Sequence, residues 1–129
     1  MKLLVIEPQP KLFTILAEGL PRFFSVHYYQ RGEKAFSMLR TLKPQGIVLD
    51  FLTPRLMGLD MIQKIKIISE FKQIPIFLFL FSMTWEHLNE QFQMGRTIYF
   101  LDRLAHPALI LERVRTVLMA RQMAVPSLS

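Results

Sequence analysis

Five short apolar runs, each followed by a longer amphipathic one, constrain this chain more than any other feature. "KLLVI" at 2–6 opens the series and reads as a buried strand. Pro10 then starts a helix carrying Leu12, Ile15, Leu16 and Leu20, with Gly19 and Pro21 near its end. "FFSVHYY" at 23–29 predicts a second, aromatic strand. "GEKAFSMLRTLKP" predicts a helix with Ala35, Met38, Leu39 and Leu42 inward, stopping at Pro44. "GIVL" is a third strand, and Gly58 through Ser69 a third helix. "IPIFLFLF" is apolar at every position, which predicts a fourth strand covered on both faces. Trp85, Leu88 and Phe92 share one face of a fourth helix, ended by Gly95. "TIYFL" makes a fifth strand, and residues 107–121 a last helix with Leu111, Val114, Val117 and Leu118 inward. Residues 122–129 read as a flexible tail or the start of a linker.

This alternation predicts one α/β domain over residues 1–121, a doubly wound five-stranded parallel sheet with helices on both faces. In such sheets the site lies beyond the carboxyl ends of the strands, where strand order reverses. Glu7 follows the first strand, Asp50 ends the third, and Asp102 and Arg103 follow the fifth. Those groups are expected at one rim.

Composition narrows the chemistry. Cysteine is absent, which excludes thiol catalysis, disulfides and thiolate metal sites. The formal charge of +6 favours acidic partners. The basic residues are scattered, however, without a basic run interleaved with aromatics, so no direct nucleic-acid contact is expected. "IPIFLFLFSM" is too short for the roughly 20 residues that cross a bilayer, and the N-terminal segment lacks a signal-peptide pattern. A cytoplasmic protein without membrane association is expected. No Gly-rich phosphate loop or nucleophile–base pairing marks an independent enzyme. His27, His87 and His106 have no metal spacing, and the eight methionines read as core filler.

The segment "GEKAFSMLRTLKPQGIVLDFLTPRLMGLD" carries a resemblance. A Gly-acidic helix start, a Leu-Lys-Pro stop and an apolar run into Asp50 are followed by Pro54 and Gly58. With "IP" before the fourth strand, Gly95 and "LERVRTVL", it resembles the receiver domains of two-component response regulators from Lys2 to about Leu118. The resemblance implies a flavodoxin-like fold in which Asp50 accepts a phosphoryl group from a histidine kinase. It also implies Mg²⁺, held by an acidic pair after the first strand, by Asp50 and by the Leu52 carbonyl. A hydroxyl after the fourth strand and a Lys after the fifth would hold the phosphoryl oxygens.

The chain departs from that pattern at several positions. The acidic pair falls on Glu7 and Pro8, leaving Glu7, Asp50 and Leu52 as metal ligands and a weak magnesium site. The hydroxyl position falls on Leu80, and the Lys position on Arg103 or Asp102, depending on the end counted from. Arg103 is the expected charge partner of the phosphoryl group; the alternative is an ion pair with Asp50 or Glu7 in place of magnesium. Trp85, Phe92, Tyr99 and Phe100 match the family's switch and output face, or else simply fill the core. Asp50 has a bland reading as a strand-ending acid, and Glu7 as a solvated residue leading into the first helix.

The expected function is an atypical receiver with Asp50 as phosphoacceptor and a weakened switch, held mostly in one conformation. It acts through contacts with a histidine kinase or another signalling protein, and as a homodimer through the fourth helix, fifth strand and fifth helix. Two other readings stand beside it. One is a fully phosphorylatable receiver of a transcription regulator whose output domain is absent. The other is a small-anion-binding module of the same fold, using Arg103 and Arg55.

Overall fold

The apolar runs become five parallel strands: β1 (Lys2–Ile6), β2 (Ser25–Tyr29), β3 (Gly46–Asp50), β4 (Ile76–Leu80) and β5 (Ile98–Asp102). The five intervening helices are α1 (Lys11–Gly19), α2 (Gly32–Leu42), α3 (Gly58–Lys66), α4 (Ser82–Phe92) and α5 (Pro107–Met123). A computed structural model describes residues 1–53, 58–92 and 94–123. The sheet order β2-β1-β3-β4-β5 reverses between β1 and β3, as the doubly wound reading requires. No helix among the described residues is long and apolar enough to cross a membrane.

Strand parity divides the core. Leu3, Val5, Val48, Phe77 and Leu101 point to one face, where α1 (Leu12, Leu16) and α5 (Ile110, Val114, Leu118) cover them. Leu4, Ile6, Ile47, Leu49, Ile76, Leu78 and Leu80 point to the other, under α2, α3 and α4. Both faces of β3 and β4 are thus occupied, which is why those strands read as unbroken apolar runs.

The boundaries differ from expectation in ways with local causes. β2 begins at Ser25 because the Phe24 N–H turns back to the Pro21 carbonyl at 2.9 Å. α3 stops at Lys66, short of Ser69, where Ile68 turns extended and a single 3-10 turn, Ser69–Phe71, follows. That turn places Phe71 in the core at 2% exposure, worth about 1.5–3 kcal/mol and more than another helical turn would return. Gly95 takes φ 83°, the left-handed region, in the connection from α4 to β5. α5 continues to Met123, past the expected end at 121, and buries Ile110 while Leu111 and Val117 stay half-buried. Residues 124–129 of the expected tail lie outside the described residues.

Candidate functional site

Register and parity bring the charged groups to one place. β1 and β3 pair Val5 with Val48 and Ile6 with Leu49, so the next step sets Glu7 level with Asp50. Asp50 pairs with Phe79, and Phe79 with Leu101. Continuing that register sets Phe81 level with Arg103. Asp50, Phe79 and Arg103 share the parity of Val48, Phe77 and Leu101, so their side chains leave the sheet on the α1–α5 face.

Asp50 is buried at 4% exposure and fully engaged on one oxygen. Its Oδ1 accepts the Leu52 N–H at 2.9 Å and an Arg103 Nη1 hydrogen at 2.5 Å. Its backbone carbonyl accepts both the Thr53 hydroxyl at 2.7 Å and the Thr53 N–H at 3.0 Å, closing the turn after β3. The Arg103 guanidinium lies 4.4 Å from the centre of the Phe79 ring and 5.7 Å from that of Phe81. Such stacking contributes about 0.5–2 kcal/mol, depending on exposure. The pair is therefore held twice, by the Asp50 carboxylate and by the two aromatic rings near the guanidinium carbon.

Glu7 is buried at 2% exposure, not solvated. Its Oε1 accepts the Leu12 N–H at 3.1 Å and its Oε2 the Phe13 N–H at 2.8 Å, so it caps α1 from below the first turn. Pro10, at the N-cap, makes no side-chain bond of its own. Burial raises the Glu7 pKa above 4.5, against the pull of those N–H groups, and the Asp50 charge raises it further. The folded chain therefore holds this proton more tightly than the unfolded one. That contribution is complete below 4.5 and is lost as pH rises through the higher folded value. Glu7→Ala is expected to cost about 1–2 kcal/mol by leaving two N–H groups without acceptors. In urea unfolding the deficit of Glu7→Ala should shrink as pH rises, because the wild type loses stability in that direction.

The remaining candidates fall as follows. The Leu80 side chain is buried under α4 on the opposite face, and Phe81 stands beside the guanidinium. Leu80 pairs with Asp102, one step beyond the Asp50–Phe79 and Phe79–Leu101 pairs, and strand alternation turns its side chain to the α4 face. Asp102 is part of β5, also of the wrong parity, and its Oδ1 accepts the Leu104 N–H at 2.9 Å. Arg103 is the residue that reaches Asp50. Trp85 stacks on Phe100 at 5.5 Å over the α4 side, whereas Tyr99 stacks on Phe77 at 5.4 Å on the α5 side, with Arg113 5.5 Å over its ring. The side chain of Phe92, and Pro54 and Arg55, lie outside the described residues. Phe79 and Phe81 were missed as site residues; their odd-numbered spacing in an all-apolar strand was the available signal.

A hard divalent cation does not fit these donors as arranged. Both Glu7 oxygens already serve α1, Pro8 offers no ligand, and a guanidinium occupies Asp50 Oδ1. Among the described residues no group of three or more His, Asp or Glu side chains converges on a metal position. An ion on Asp50 would be left with Oδ2 and would sit beside the positive charge of Arg103.

Known proteins agree with this geometry. The chemotaxis response regulator CheY4 of Vibrio cholerae superposes with a TM-score of 0.75 at 19% identity, over 90% of this chain and 97% of that one. The BeF3-activated N-terminal receiver domain of Klebsiella pneumoniae RstA gives 0.72 at 26% identity, over 92% and 98%. In sequence, a probable transcriptional regulatory protein, SilR, of Salmonella typhimurium is 29% identical over 119 residues. The match covers 92% of this chain and 51% of that protein, so the chain spans about half the length of this relative. No protein-family model matches the chain. With its strand order, its acid at the end of β3 and these similarities, the chain has the fold of the receiver domains of two-component response regulators and resembles them in sequence.

Proposed function

We propose that this chain is an atypical receiver whose phosphoacceptor, Asp50, is held closed by Arg103 and which signals mainly through protein contacts. The Arg103–Asp50 pair, clamped between Phe79 and Phe81, carries this reading. A permanently charged guanidinium neutralises the acid without any metal. Attack on a phosphoryl donor is left to Asp50 Oδ2, since Arg103 and the Leu52 N–H hold Oδ1. Phe81 stands beside the guanidinium, and its ring offers no hydroxyl to a phosphoryl oxygen. Each charged hydrogen bond is worth about 1.5–3 kcal/mol, and about 1.4 kcal/mol is tenfold in rate, so phosphotransfer slows by several orders of magnitude.

A histidine kinase or another signalling protein is the partner class. Self-association through α4, β5 and α5 uses the aromatics Trp85, Phe100 and Tyr99. The description of the Salmonella relative as a transcriptional regulator favours a second reading, a phosphorylatable receiver in a longer regulator. One experiment separates the two. Wild type and Asp50→Asn are incubated with acetyl phosphate and Mg²⁺ and weighed by intact-mass spectrometry. No added phosphate on either is expected; one phosphate on the wild type alone overturns the closed-pair reading.

A further inference from the structure

Around the closed pair the surface is unusual. Four of the seven large apolar side chains exposed among the described residues lie within two residues in sequence of Asp50, Phe81 or Arg103, Phe81 itself among them. Leu52 (57% exposed) gives its N–H to Asp50, and Leu104 (80%) follows Arg103 directly. Phe81 (45%) has its ring beside the guanidinium, and Met83 (81%) is the second residue of α4. A small soluble surface rarely gathers apolar groups in this way without a use.

At the centre lies a cation with capacity to spare. Arg103 carries five N–H hydrogens. Only its Nη1 is engaged, by Asp50 and, at 3.5 Å, by the Phe79 carbonyl. Its side chain keeps 21% exposure, and the Nε–Nη2 edge finds no partner among the described residues. That edge is preorganised, because Asp50 and two rings fix the guanidinium plane. A partly desolvated Arg beside aromatic rings, with exposed apolar residues close by in sequence, is the kind of group that anchors an interface.

We propose that this rim is a docking surface for a partner-protein segment that presents one carboxylate flanked by apolar side chains. The carboxylate takes the free guanidinium edge, and Leu52, Phe81, Met83 and Leu104 receive the apolar neighbours. Charge selects the occupant: the centre is cationic, the formal charge of the chain is +6, and Asp50 already neutralises only the inner edge. A basic or purely apolar segment would leave the outer edge buried and unpaired. The inference rests on the closed pair proposed above.

The test uses phage-displayed random peptides selected on the immobilised chain. The winners are then synthesised with their acid as Asp or Asn and titrated by amide NMR. Selected peptides should carry an acid between apolar residues and shift the amides of Leu52, Phe81 and Leu104. The Asn versions, and Arg103→Ala as target, should bind about tenfold more weakly, the loss of one charged hydrogen bond. Leu104→Ser and Met83→Ser, both on exposed side chains that do not threaten folding, should also weaken binding. No enrichment, winners without an acid, equal binding of Asp and Asn peptides, or shifts confined to another face overturn the proposal. Phosphate on Asp50 in the mass experiment would sink the closed pair instead. Failure of the peptides with Asp50 still unmodified sinks only the rim.

Discussion

Arg103→Ala is expected to destabilise the domain by about 2–4 kcal/mol, and Asp50→Asn by only about 1–2, although both delete the same ion pair. The asymmetry follows from exposure. Asp50 retains 6% of its side-chain surface and Arg103 21%. Removing the guanidinium strands a carboxylate whose one remaining side-chain bond is the Leu52 N–H, in a site that water reaches poorly. Removing the carboxylate charge leaves a cation that still rests on Phe79 and touches solvent, and the Asn amide oxygen can keep the Leu52 N–H. Full burial would put the Arg deletion at the top of the range for broken buried pairs; one-fifth exposure brings it down. The double variant should cost less than the sum of the singles, because once Arg103 is gone the lost charge at position 50 becomes a relief. Urea midpoints at neutral pH measure all three. Equal costs for the two single variants would mean that the pair is a surface contact, and the closed-site reading would lose its support.

The architecture was legible because each strand sits between two layers. Burial on both sides forces "GIVL" and "IFLFL" to be apolar throughout, and covering helices force the amphipathic spacing between them. Asp50 was legible for the complementary reason: an acid ending an apolar strand has no packing role. The boundaries that moved, at Phe24 and Ile68, depend on turns closed by single backbone hydrogen bonds and on where Phe71 finds space. No local pattern encodes those. Counting from distant landmarks left Asp102 and Arg103 open; parity sets which of the two reaches Asp50. Leu101 packs under α5, so Asp102 faces away and Arg103 returns to the Asp50 side. Parity also turns Leu80 to the α4 face and sets Phe81 beside the guanidinium. Glu7 was legible as an acid at the rim but not as the cap of α1, since its partners lie five and six residues ahead across a turn containing two prolines.

Phe77→Ala is expected to be the most damaging single change, at about 3–5 kcal/mol. Phe77 is wholly buried in the middle of β4 and is among the largest of the fully buried side chains. Its ring stacks on Tyr99 at 5.4 Å, a contact that adds about 0.5–1.5 kcal/mol to the area it buries. The cavity left behind cannot collapse easily, because backbone pairing on both sides fixes β4 between β3 and β5. The loss approaches the whole stability of an ordinary domain of this size, about 5–15 kcal/mol, so the variant should unfold at low urea. Phe77→Leu restores most of the volume and should cost about 1–2 kcal/mol with an unchanged urea slope. Phe79→Ala, one step further along the same face, offers the useful contrast. Phe79 is only half-buried, so its deletion should cost less in stability than that of Phe77. It removes the ring beneath Arg103, however, and should release the guanidinium from its fixed plane. The Arg103 Nε–H resonance reports this directly: it should broaden or exchange in Phe79→Ala and stay sharp in Phe77→Leu. The reverse pattern would show that the aromatic clamp does not hold the pair.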